Sequence, residues 1–166
     1  MINSLLPALH NRLDNTYTEI TMNINCPQLK PDNFLPKKYT CDGKDISPPL
    51  TISDVPDEAK SLVLIMDDPD APGGVFTHWL VWNIHPVIKE IEENQVPLDA
   101  VEGCNSTGSS GYKGACPPSG THRYRFKLYA LNKYLSVSKN IDQSELETEL
   151  EKHLLKKAVL ITKYSR

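Results

Sequence analysis

The segment His122–Leu131 constrains the fold more than any other stretch of this chain. His122, Tyr124, Phe126, Leu128 and Ala130 share one parity, and Arg123, Arg125 and Lys127 share the other. A period of two marks a β-strand with one face turned to a core. The rest of the sequence agrees. Its 13 prolines and 8 glycines fall mostly in the first three quarters and leave short apolar runs between turn signals, the pattern of a mainly β domain. Thr18–Asn25 and Leu62–Met66 read as further strands. His78–Ile84 carries Leu80, Trp82 and Ile84 on one face and Trp79 and Val81 on the other, as a central strand buried on both sides requires.

After Asn132 the pattern changes. Leu146, Leu150, Leu154 and Ala158 recur at spacings of four, and Ser144 with Glu147 fits a capping box, so Asp142–Lys163 is expected to form an amphipathic C-terminal helix. Gly103–Gly120 is a long irregular loop, a class of segment that is commonly functional. A chain of 166 residues suits one domain, expected over 17–166 behind a loose arm at 1–16. The arm lacks a basic n-region and its apolar run is broken by Pro7, which makes it a poor secretory signal.

Charge and cysteine usage narrow the function classes. A formal net charge of -3 without long single-sign blocks gives no electrostatic footprint for nucleic acid or an anionic membrane surface. The apolar runs fall far short of the roughly 20 residues that span a bilayer, so a soluble protein is expected. Cys26, Cys41, Cys104 and Cys116 form no C-x-x-C pair, which argues against a zinc cage. Reduced thiols in a cytoplasm are the first reading, and secretion with one or two disulfides the competing one.

Two segments concentrate chemistry at strand ends. In Asp67-Asp68-Pro69-Asp70-Ala71-Pro72 the prolines stiffen an extended turn that carries three acids in four residues. An Asx-turn could account for one such acid, but three repel one another unless cations or a shared proton relieve them. In Gly111–Tyr124 the glycines permit close backbone approach and an anion nest, and Pro117-Pro118 stiffens the wall. His122 and Tyr124 share the inward parity of Phe126, which places an imidazole and a phenol at a pocket rim. A lone histidine in such a pattern is more often a core residue.

DPDAP followed by HW, then GACPPSGTHRY entering a strand, resembles the two signature segments of the phosphatidylethanolamine-binding protein family. YTCDGKDISPPL resembles its bacterial and archaeal branch, often described as Raf-kinase-inhibitor-like. The similarity runs from about Ile20 to the C-terminus. The resemblance implies a mainly β fold with a large central antiparallel-rich sheet, a smaller second sheet and peripheral helices. It also implies a small anion pocket formed here by Asp68, Asp70, His78, Gly114, Pro117, His122 and Tyr124. Such pockets accept phosphate, phosphorylethanolamine, acetate or cacodylate, and some members bind kinases or proteases. Mammalian members have a C-terminal segment that can cover the pocket. This chain is expected to end in a helix instead, so neither gating nor the mammalian kinase partners carry over. The resemblance also puts Cys41 and Cys116 near the pocket mouth, within reach of a cross-link under oxidation.

The expected function is therefore non-enzymatic binding of a small anion, a phospholipid headgroup, or a phosphorylated or acidic side chain, with inhibition of a kinase or protease partner as one outcome. No cofactor is expected, and homodimerisation stays open. The first alternative is a metal-dependent hydrolase using His78, His122 and Asp68, although no H-E-x-x-H spacing supports it. The second is cysteine catalysis by Cys116 with His122.

Overall fold

The computed structural model describes residues 21–166. The proposed arm at 1–16, and the part of the first expected strand before Thr21, lie outside the described residues. Eight strands and one α-helix follow in chain order among those described: β1 Asn23–Asn25, β2 Leu50–Ser53, β3 Ser61–Asp68, β4 Phe76–Ile84, β5 Glu90–Ile91, β6 Val101–Glu102, β7 Thr121–Leu131, α1 Gln143–Glu151 and β8 Leu154–Ser165. They build two antiparallel sheets, a small one in the order β1-β2-β5 and a large one in the order β6-β4-β3-β7-β8.

The centre of the large sheet is buried on both faces. Leu62, Leu64 and Met66 of β3 pack with Tyr124, Phe126 and Leu128 of β7 against the small sheet's Ile24, Leu50 and Ile52. On the other face Val63, Ile65, Leu80 and Trp82 pack under Leu146 and Leu150 of α1. β3 carries apolar residues on both parities because both of its faces meet protein.

Two register irregularities on β4 change the faces expected from strict alternation. Near its end Leu62 pairs with Ile84 but Leu64 with Val81, and Asn83 takes a positive φ of 60°. This extra residue moves Ile84 from the face of Leu80 and Trp82 to that of Trp79 and Val81. Near its start Met66 pairs with Trp79 but Asp67 with Thr77, which leaves His78 unopposed. An extra residue of this kind bends a strand and re-aims a side chain.

The C-terminal helix is shorter than expected. α1 ends at Glu151, and Leu154–Ser165 forms the long strand β8, paired with β7 from Thr121–Ser165 to Leu131–Leu154. A spacing of four is even, so Leu150, Leu154 and Ala158 satisfy the parity of a strand as well as a helical face. Val159, Ile161 and Thr162, branched at Cβ, then favour the strand. The capping box is also displaced: Asp142 accepts from the Glu145 N–H, not Ser144 from Glu147. Glu147 instead receives hydrogen bonds from Lys127 and Tyr129 of β7.

Cys41 and Cys116 form a disulfide with Cα atoms 5.5 Å apart, so the reading of all four cysteines as reduced thiols is corrected for this pair. Cys26 and Cys104 are free. No helix among the described residues is long and apolar enough to cross a membrane.

Candidate functional site

Two of the three acids of the Asp67–Asp70 turn are relieved by cations from a single neighbouring strand, β7. Asp67 points to the helix side, fully buried, and receives Arg125 at 2.7 and 2.9 Å, Lys127 at 2.8 Å and the Gln143 amide at 2.8 Å. Despite its burial, these partners hold its carboxyl below the usual range. Asp70 takes a bidentate Arg123 guanidinium at 2.7 and 2.9 Å and the Arg123 N–H, which likewise lowers its pKa. Asp68 turns to the opposite side from Asp67. One of its oxygens accepts from the Asp70 N–H and the other lies 2.8 Å from His122 Nδ1. Alternation along β3 and β7 thus sorts the carboxylates, two to structural pairs and one to an imidazole.

The irregularity at His78 brings a second imidazole to the side of Asp68. Its ring sits 4.7 Å from that of Phe76 and 5.3 Å, edge-on, from that of Tyr124. The long loop latches it in place. The Lys113 N–H donates to the His78 carbonyl at 2.9 Å, and His78 Nδ1 lies 2.6 Å from the Lys113 carbonyl. A carbonyl only accepts, so Nδ1 carries the proton. Burial pushes the His78 pKa down, which favours the neutral ring.

Gly114 shows why the loop needs glycine there. A Cβ would lie 2.5 Å from Asp45 Oδ1 and under 3 Å from the Thr40 backbone. Asp45 accepts from the Gly114 N–H and from Lys113 Nζ, both at 2.6 Å. The nest expected from the glycines is therefore already used at Lys113 and Gly114, whose N–H groups serve His78 and Asp45. Lys113, in the cavity lining, and Asp45, which holds its ammonium, are residues that sequence reasoning did not single out. Beside them, the Cys41–Cys116 disulfide ties the loop to the Thr40 segment.

These elements enclose a cavity of about 230 Å³, lined by Asp68, His78, Gly114 and His122 of the expected set, with Phe76, Lys113 and Cys116 in addition. The remaining three expected residues lie outside its lining. Asp70 faces Arg123, Pro117 is buried in the wall, and Tyr124 is buried beneath. The Tyr124 hydroxyl lies near Asp68 and the Cys116 N–H without forming a well-shaped hydrogen bond to either. Burial, and then the Asp68 charge, push its pKa up. A larger hollow of about 540 Å³ along α1, lined by residues such as Val137 and Thr148, is shallow and gathers no buried titratable groups. The site is assigned to the smaller cavity.

The same geometry bears on the two alternatives, cysteine catalysis and a metal-dependent hydrolase. Cys116 is oxidised, so it supplies no thiolate for catalysis with His122. Among the described residues no group of three or more His, Cys, Asp or Glu is arranged to hold a metal, and Asp68 is already engaged by His122 and Asp70.

Fold and cavity together define a two-sheet β protein with a small pocket between two imidazoles at one end of its large sheet. Residues 25–165 match the family model described as phosphatidylethanolamine-binding protein, and the chain belongs to that family. A UPF0098 protein of Methanothermobacter thermautotrophicus is 45% identical over 150 residues, covering 87% of this chain and 99% of that protein. A UPF0098 protein of Chlamydia trachomatis is 43% identical, covering 80% and 91%. Among solved structures, a phosphatidylethanolamine-binding protein homolog from Chlamydia trachomatis has a TM-score of 0.83 at 39% identity, covering 89% of this chain and 99% of its own. E. coli YbcL, described as a new member of the mammalian PEBP family, has a TM-score of 0.81 at 30% identity, covering 87% and 98%. None of these names carries an enzymatic activity.

Proposed function

We propose that the protein is a non-enzymatic binder of a small oxyanion, held between His78 and His122 with Lys113 at the rim. The observation that carries this reading is the pair of imidazoles lining one cavity, each with Nδ1 tied to a fixed acceptor and Nε2 free of any partner among the described residues. Asp68 supports His122 from its Nδ1 side when an anion sits on Nε2, while the Lys113 ammonium is held by Asp45 at 2.6 Å. The ligand class is phosphate, phosphorylethanolamine or a headgroup, or a phosphorylated or acidic side chain. In the last case docking would inhibit a kinase or protease partner.

Calorimetric titration of phosphate and phosphorylethanolamine into the wild type and His122→Ala tests the reading. Loss of one charged hydrogen bond of about 1.5–3 kcal/mol should weaken binding ten- to a hundredfold. Unchanged affinity in His122→Ala refutes the site.

A cytoplasmic place of action remains part of the proposal. There the bridge, whose Cys116 is an exposed residue, would meet a reducing pool.

A further inference from the structure

We infer that His78 reads a proton on the ligand: its Nε2 is an acceptor, so the site selects phosphomonoesters and inorganic phosphate, which can keep a P–OH, over phosphodiesters and sulfate, which cannot. The inference rests on the oxyanion reading above and adds to it which oxyanion fits.

The two imidazoles look alike in sequence but are held differently. His122 Nδ1–H faces a carboxylate, 2.8 Å from Asp68 Oδ2. An anion on the far side of that ring can draw a second proton onto Nε2, with Asp68 balancing the charge. His78 Nδ1–H faces a neutral carbonyl, 2.6 Å from Lys113 O. The Lys113 amide N–H on the His78 carbonyl fixes that arrangement from the backbone. With Nδ1 protonated, the neutral ring presents a lone pair at Nε2.

The groups around His78 do not restore its charge. The Lys113 carbonyl on Nδ1 and, less strongly, Asp68 and Asp67 of β3 and Asp45 ahead of β2 favour a proton on it, but burial outweighs them and the ring's pKa falls. Asp67 is neutralised by Arg125 and Lys127, Asp45 by Lys113, and Asp68 faces His122. Phe76 and Tyr124 shield the ring on its flanks. The cavity thus offers a donor on the His122 side and an acceptor on the His78 side. An oxygen without a proton would meet a lone pair at His78, whereas a P–OH would donate to it. Near pH 6.5 a phosphomonoester, with a second pKa of about 6, holds that proton in a substantial fraction of molecules.

Calorimetry at pH 6.5 with two matched pairs tests this. Inorganic phosphate and sulfate have similar size and differ in the available proton. Phosphorylethanolamine and glycerophosphorylethanolamine represent a free monoester and the diester headgroup of an intact lipid. The wild type should bind phosphate and phosphorylethanolamine at least about tenfold more tightly than their partners. In His78→Gln, whose amide can also donate, the phosphate-to-sulfate ratio should fall to within about threefold. Equal affinities for phosphate and sulfate in the wild type overturn the inference and leave the oxyanion site standing. A monoester that binds no better than the diester also overturns it, and so does selectivity that survives intact in His78→Gln. Absence of binding by any of the four overturns the oxyanion reading itself. Should His78→Gln fail to fold, the wild-type pH profile decides: as pH rises from about 6.5 toward about 8 and phosphate loses its P–OH proton, its advantage over sulfate must shrink, and a flat ratio refutes the role given to His78.

Discussion

Asp68 Oδ2 lies 2.8 Å from His122 Nδ1, while its second oxygen accepts the Asp70 N–H at 2.8 Å. The Asp70 N–H thus holds one oxygen of Asp68, and the other shares a hydrogen bond with the His122 ring. The model in which Asp68 orients and supports His122 therefore predicts that Asp68→Asn loses affinity for phosphate by at least about tenfold. Its fold should survive, because Asn can still accept from the Asp70 N–H. Calorimetry on the variant, with circular dichroism as the folding control, checks this, and full affinity would favour a neutral acid donating to a ligand.

Asp67, the neighbour of Asp68, serves stability instead. It is fully buried and shared by Arg125, Lys127 and Gln143, so its removal leaves the buried Lys127 ammonium with Glu147 as its remaining anion. Breaking a buried pair from one side costs about 3–5 kcal/mol. Asp67→Ala should lower denaturant stability by that order. A loss under about 1 kcal/mol would show that the network contributes little.

How much of this was legible in the sequence depends on parity. Strand β7 and its inward face follow from alternation, β3 and β4 from short apolar runs between turn signals, and the two motif segments do meet in space. His78 could not be placed that way. Strict alternation from Trp79 puts it on the helix side, and only the extra residue in β4 brings it beside Tyr124. The helix was over-extended because even spacing satisfies helix and strand alike, and the need of β7 for a partner on its far side is a tertiary demand. Asp45 and Lys113 stand 68 residues apart, and nothing local marks them as a pair. The relief of Asp67 and Asp70 was foreseeable as a requirement, but its source, alternating cations on β7, needed the register.

The Cys41–Cys116 bridge closes a loop across 75 residues of sequence and anchors the segment that carries Lys113 and Gly114. Constraining a loop of this size contributes roughly 2–4 kcal/mol. Cys41→Ser with Cys116→Ser should therefore lower the Tm by roughly 5–15 °C. It should also weaken phosphate binding, because the latch on His78 belongs to the same loop. Reduction of the wild type by dithiothreitol should reproduce both effects. Unchanged Tm and affinity after reduction, with free thiols confirmed by titration, would show that the bridge does not position the pocket.

The last prediction follows from the lowered pKa of His78 and concerns the protein without ligand. Below about pH 6.5 the unfolded chain binds a proton at this residue, while burial keeps the folded ring neutral. Stability rises with pH wherever the unfolded state holds more protons. The contribution of His78 is thus complete above about pH 6.5 and is lost as pH falls toward its folded pKa, at no more than about 1.4 kcal/mol per pH unit. Asp67 and Asp70, whose pKa values are also lowered, act in the same direction only below about pH 4. Between pH 6.5 and 5 the slope should therefore carry a clear imidazole contribution. Denaturant unfolding across this range should show the wild-type midpoint falling with pH. In His78→Gln, which has no titrating group at that position, the fall should be visibly shallower. Parallel curves for the two proteins would mean that the ring is not held neutral in the fold, and the acceptor role assigned to its Nε2 would fall with it.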